Sequence, residues 1–190
     1  MTSVELTFTN QSQEPLSNIC MAEAANKRAD VHGFAPIGVL ASGACAVGTV
    51  GVAWNDSTQP AQLPISWQEG AATLQLRASV GELLAPVTMP ETLFLTEQAK
   101  LRGMNEHSSK VSKSIDSRKV TMNILEAANL GSTPSSSPDT LRFSAQTMSS
   151  KSLVLVTVVF SVDCIELVVN FEKMVIRSPH HNELKSALQA

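Results

Sequence analysis

SLVLVTVVFSVDCIELVVNFEKMVI, residues 152–176, is the most apolar stretch of the chain, and its reading decides the fold. A membrane-spanning helix needs about 20 mostly apolar residues with few charges. Here Ser161, Asp163, Glu166, Asn170, Glu172 and Lys173 break the run. Its valines are stiff at the first side-chain torsion, which suits a pleated surface better than a helix. Ser161-Val162-Asp163 reads as a short turn between Leu153–Phe160 and Ile165–Phe171. In the second run Ile165, Leu167 and Val169 alternate with Glu166, Val168 and Asn170, the period of a half-buried strand. The stretch is a β-hairpin at the centre of a sheet, and no membrane span is expected.

Composition frames the rest. The chain has 190 residues, 43% hydrophobic and 16% charged, with net charge −3. That describes a foldable globular chain with no general attraction to nucleic acid or anionic membranes. Residues 1–85 hold three Lys/Arg against seven Asp/Glu, and residues 86–190 hold eleven against ten, which suggests two separate units. Cys20, Cys45 and Cys164 are far apart, lack a Cys-x-x-Cys pair and sit in apolar runs, so they read as buried reduced thiols. MTSVELTFTNQ at the start has neither a basic nor an apolar character, so no secretory signal is expected. A cytosolic setting follows, in which the sequons at Asn10 and Asn55 are coincidental.

Residues 1 to about 84 read as short strands. VELTFTN, LSNICMAEA, HGFAPIGVLASG, ACAVGTVGVAW, AQLPISW and AATLQLRASV are divided by turn residues every 8–12 positions, as in a sandwich. Gly48 and Gly51 inside the fourth run suggest a bulge. From Val80 the texture changes. PETLFLTEQAKLRGMNE starts at Pro90 and stops at Gly103, a helix. NEHSSKVSKSIDSRK reads as an exposed loop, VTMNILEAANLG as a second helix, and STPSSSPD as a loop. TLRFSAQTM, the hairpin and KMVI supply about four antiparallel strands, and NELKSALQA after Pro179 closes the chain as a helix. The expected fold is α+β, with a β-sandwich over 1–85 and an α+β unit over 86–190.

No catalytic constellation is present. The sequence contains no Gly-x-Ser-x-Gly elbow, phosphate-cradling glycine loop or metal-binding His pair. His180 and His181 are adjacent and point apart. Glu166 and Glu172 share a strand face, where solvated charge explains them. Lys110, Lys113, Arg118 and Lys119 lack the stacking aromatics of nucleic-acid binders. The reading is therefore non-enzymatic, with no cofactor and no metal. Ser137-Pro138 and Ser178-Pro179 are Ser-Pro pairs of the kind kinases modify.

Five segments occur in an order that is specific together: NDSTQPAQLPI (55–65), VGELLAPVTM (80–89), EQAKLRGMNE (97–106), RFSAQTMSSKSLVLVTV (142–158) and NFEKMVI (170–176). With these segments the chain resembles the C-terminal appendage, or ear, of the β subunit of adaptor protein complex three. The resemblance implies an immunoglobulin-like sandwich followed by a smaller α+β platform, without enzymatic activity. It implies a coat adaptor with δ, medium and small partner subunits, working peripherally on Golgi and endosomal membranes toward lysosomes. Accessory proteins, clathrin, small GTPases and kinesin motors are the implied contacts, with no nucleic acid and no membrane insertion. An ear that folds back on its own adaptor core is the alternative. Related appendages grip peptides with platform Trp and Tyr, whereas this chain has no Tyr and places Trp54 and Trp67 in its sandwich half. Of Phe94, Phe143, Phe160 and Phe171, the last two sit in strands that favour burial. RSPHHNELK after Ile176 also departs from the family's aliphatic continuation. Phe143, Lys151, Lys173 and Arg177 are the residues expected to contribute to an exposed protein-binding surface on the platform. Trp54 and Trp67 are expected in the sandwich core.

Overall fold

The computed structural model describes residues 1–22, 30–112, 117–172 and 177–188. The chain is mostly strand with few helices, and it divides into two compact units, Met1–Ala78 and Ser79–Ala190.

Among the described residues, the first unit is built from β1 (Thr2–Thr9), β2 (Leu16–Met21), β3 (Asp30–His32), β4 (Ile37–Leu40), β5 (Cys45–Ala53), β6 (Ala61–Trp67) and β7 (Gly70–Leu76). They form one sheet in the order β1-β5-β3 and another in the order β4-β2-β6-β7. Alternation decides which side chains go inward. Val50 and Val52 from the first sheet are buried, as are Ile19, Leu40, Leu63 and Ile65 from the second. β3 is absent from the sequence reading because three residues are too few to show a period. The expected bulge is not there either: β1 and β5 pair without interruption from Thr2↔Val52 to Thr9↔Cys45. Gly48 instead makes room for Phe34, since a Cβ there would lie 2.9 Å from the Phe34 ring.

The second unit contains α1 (Val80–Leu83), β8 (Leu84–Pro86), α2 (Glu91–Lys100), β9 (Glu106–Ser112), α3 (Ser117–Ala128), β10 (Gly131–Thr133), β11 (Thr140–Thr147), β12 (Leu153–Phe160), β13 (Cys164–Phe171) and α4 (Arg177–Ala187). Its sheet runs β10-β11-β12-β13-β9, and β8 shares the β10 edge of β11. The β12–β13 hairpin is central, turning at Ser161–Asp163. Both faces of β12 are covered, which is why its valines run unbroken rather than alternating. Val154, Val156 and Val158 face Val120 and Ile124 of α3 and Leu184 of α4 in one cluster. Leu155 faces Phe94 and Leu101 at α2 in another. Each such side chain contributes about 1.5–3 kcal/mol by leaving water.

Three expectations change here. The break between units precedes the expected boundary after Ala85, because Val80, Leu83 and Leu84 are buried in the second unit. The Val80 N–H also donates to Glu183 Oε2 at 3.1 Å, tying α1 to α4. The second unit is the longer one, not a smaller platform. Finally, the described part of the expected polar loop is regular structure: β9 pairs with β13 from Glu106↔Asn170 to Ser112↔Cys164 and buries Val111, while Arg118 and Lys119 lie in the first turn of α3. An edge strand needs only one apolar face, so its Ser/Lys content concealed it. KMVI, expected as a strand, lies outside the described residues.

Candidate interaction surfaces

The four expected surface residues do not form one patch. Phe143 is 1% exposed, since strand alternation on β11 turns it into the α3-side core. It cannot be a surface contact, which corrects the expectation. Lys151 is exposed in the β11–β12 turn, with a left-handed backbone (φ 57). Lys173 lies outside the described residues, and Arg177 opens α4. Phe94 and Phe171 are also buried, and Phe160 is half-buried. Among the described residues, the second unit therefore exposes no aromatic anchor.

The first unit has a different surface. A groove of about 320 Å³ opens between its two sheets, lined by Leu6 and Phe8 of β1 and by Leu16, Ile65, Trp67 and Leu74 from the other sheet. Leu74 pairs with Leu63, which is fully buried, so both lie on the inward face. Even so, Leu74 is 40% exposed. Among the described residues, one sheet has three strands and the other four, and β1 and β7 are both edges. Trp67 lies over Gly70, where a Cβ would fall 2.7 Å from the indole. Trp54 is in the core as expected, with Nε1 donating to Thr2 Oγ1 at 3.1 Å. Trp67 is half-buried and also reaches the groove. Exposed Glu5, Glu14 and Glu69 lie on or next to the strands that form the groove.

A polar cluster occupies the β10–β11 end of the second unit. Arg142 Nη1 donates to Glu91 Oε1 at 2.7 Å and also to Ser135 Oγ. Glu91 accepts from the Ser136 N–H at 2.9 Å and from the Ser136 hydroxyl at 3.1 Å. The Ser136 backbone N–H, with the hydroxyl and the Arg142 guanidinium, holds the Glu91 carboxyl below its usual range against an opposing effect of burial. Arg142 Nε is buried without an acceptor among the described residues. Next to this cluster is a cleft of about 350 Å³ lined by Ser132, Ser135, Ser137, Thr140 and Arg142.

Other candidates are structural. Glu166 is half-buried opposite Lys110, and the exposed Glu172 accepts from the Leu153 N–H at 3.1 Å. The cysteines are free, but Cys45 is exposed and Cys20 and Cys164 are half-buried, so the expectation of buried thiols fails. Each lies within or at the end of a strand and alternation, not apolarity, sets its exposure. His181 is buried edge-on to His107, with ring centroids 4.0 Å apart and neither His181 nitrogen hydrogen-bonded among the described residues. Among the described residues, no three His, Cys, Asp or Glu converge as metal ligands, and no helix is long and apolar enough to cross a membrane.

Comparison with known proteins adds the family. Residues 81–188 match the family described as AP-3 complex subunit beta-1, C-terminal domain. Residues 1–59 match the family described for the C-terminal part of the clathrin-adaptor complex-3 beta-1 subunit. The chain is 36% identical over 193 residues to AP-3 complex subunit beta-1 of Mus musculus, covering 99% of this chain and 18% of that protein. It is 34% identical over 193 residues to the beta-1 protein of Bos taurus, again 99% of this chain and 18% of that one. To AP-3 complex subunit beta-2 of Mus musculus it is 34% identical over 181 residues, 93% of this chain and 17% of that protein. The chain thus spans less than one fifth of the length of these relatives.

Proposed function

The chain belongs to the family of AP-3 complex β subunits, matching their C-terminal domains, and on that premise we propose that it is a non-catalytic appendage that recruits accessory proteins to a vesicle coat. The two face-to-face sheets support an immunoglobulin-like sandwich, and the helix-covered sheet supports an α+β platform. The observation that carries recruitment is Leu74, an inward-facing side chain that is 40% exposed among the described residues. Burying it and its neighbours supplies affinity. The two free strand edges supply main-chain donors and acceptors for an added strand. The occupant is an extended segment of a partner protein with alternating apolar side chains. Glu5, Glu14 and Glu69 around the groove favour Lys or Arg flanking that segment.

Within a full-length β subunit, this reading puts the domain beside δ, medium and small adaptor subunits. Its work is then peripheral, on Golgi or endosomal membranes, in transport toward lysosomes. Clathrin and kinesin are candidate partners of the same kind. Lys151, Lys173 and Arg177 are proposed as a separate basic contribution from the platform, without Phe143. The same groove would also accept a segment of the adaptor itself, which is the autoregulatory alternative.

The test uses the full chain and its Leu74→Asp variant as baits in cytosolic extract, with captured proteins identified by mass spectrometry. Recruitment requires trafficking proteins that the full chain retains and the variant loses. Recovery of adaptor core subunits alone would favour autoregulation. Identical captures by both baits would remove the groove from the reading.

A further inference from the structure

We propose that Ser137 is a phosphorylation site and that the cleft beside Arg142 is built to receive the phosphate, with Glu91 as the group it displaces. Ser137 is followed by Pro138, in the connection between β10 and β11. Ser137 is half-buried while Ser136, Pro138 and Asp139 are exposed, so a kinase that reads Pro after the acceptor has access to the segment. In the transfer, Ser137 Oγ attacks the terminal phosphorus of a nucleoside triphosphate. The bond from that phosphorus to the bridging oxygen breaks, the diphosphate leaves, and the hydroxyl proton passes to the kinase's base.

Arg142 is the feature that turns this acceptor into a switch. Arg142 lines the same cleft as Ser137 and is mostly buried, with 12% of the side chain exposed. It is only partly satisfied, because Nη1 holds Glu91 and Ser135 while Nε has no acceptor among the described residues. A buried donor without a partner is costly, and a phosphate monoester dianion offers three oxygens in geometry suited to a guanidinium. The hydroxyls of Ser135 and Thr140 line the cleft too. In the unmodified chain the Thr140 hydroxyl donates to Ser137 Oγ at 3.4 Å, and the Ser135 hydroxyl donates to the Ser137 carbonyl at 3.2 Å. Glu91, the first residue of α2, is the competing anion. Moving Arg142 from Glu91 to the phosphate breaks the tie between the start of α2 and β11, leaving Glu91 held by Ser136 alone. Phosphorylation thereby loosens one attachment of a helix that covers the sheet.

The test is a phosphorus NMR titration of the full chain phosphorylated at Ser137 by a proline-directed kinase, with the site confirmed by mass spectrometry. A free phosphoserine has its second pKa near about 6. Glu91 and Asp139 are the nearby negative charges and push this value up, so a value below that of the same chain in urea requires Arg142. The expected result is a lower value in the folded chain, a return toward the urea value in Arg142→Gln, and a further fall in Glu91→Gln. The folded-against-urea comparison needs no variant, so it stands even if Arg142→Gln fails to fold. Equal values in folded and unfolded chain would overturn the proposal. So would a kinase that leaves Ser137 unmodified. If inorganic phosphate then shifted the Arg142 Nε signal of the unmodified chain, the cleft would belong to a free anion instead.

Discussion

Gln98 on α2 donates to Asn170 Oδ1 on β13 across 3.1 Å, joining the helix to the sheet through a fully buried amide. Asn170 Nδ2 in turn donates to the Leu101 carbonyl at 3.0 Å and to Glu106 Oε2 at 3.1 Å. One side chain thus satisfies the end of α2 and the start of β9. A second Gln98 bond, to Thr157 Oγ1 at 3.0 Å, extends the network to β12. Buried polar groups are tolerated only when paired, and here each serves another.

Asn170→Ala should therefore destabilise the chain by about 1–3 kcal/mol, because the Leu101 carbonyl loses its donor in a buried site while the Gln98 amide keeps only Thr157. Gln98→Ala, at a half-buried position, should cost less. Urea denaturation of both variants measures the difference.

Gly131 tests backbone packing. A Cβ there would lie 2.3 Å from the Val87 carbonyl oxygen, which also accepts the Ser144 hydroxyl at 2.8 Å. Gly131→Ala forces these strands apart, at a cost of about 1–3 kcal/mol. Calorimetry should show a Tm several degrees lower.

His181 gives the fold a dependence on pH. Burial, and then the positive charge of nearby His107, lower its pKa from 6.5 to about 4. In that window the unfolded chain binds a proton that the folded chain does not, so stability is full above about 6.5 and falls as pH drops toward 4. Lys185, one turn further on, adds to the repulsion of a charged ring. Replacing His181 with Phe should flatten this part of the stability–pH curve, as thermal melts at pH 7, 6 and 5 would show.

Some of this was legible in the sequence, and the reasons differ by element. The valine-rich hairpin was plain because burial on both faces of a central strand leaves no polar positions to confuse its period. β9 was hidden because its polar positions face outward and only Val111 marks the core. α1 is four residues long, and nothing in its sequence says which unit buries Val80 and Leu83. Phe143 was misplaced because one residue of register decides whether an aromatic anchors a partner or a core. The groove had no signal at all. Leu6 and Leu74 look like ordinary sandwich residues, and nothing in their alternation says that Leu6 stays half-buried and Leu74 exposed at a sheet edge.

Leu74→Asp should cost about 1–2 kcal/mol and leave the chain folded, since the side chain is more than half buried on the inward face but lies at a sheet edge. Binding of a groove-seated segment should fall at least about tenfold, since a carboxylate must be desolvated there. Isothermal titration with a peptide recovered on the chain measures this.

The central claim is that the partly exposed inner face of the first unit seats an extended apolar segment. Amide chemical-shift mapping of the labelled full chain tests it most directly, using a peptide selected on that chain from a random library. The selected peptides should be apolar with basic flanks, and the shifts should concentrate on Leu6 to Thr9, Trp67 and Ala72 to Leu74. Peptides that instead perturb only residues of the second unit, or that bind Leu74→Asp unchanged, would contradict it.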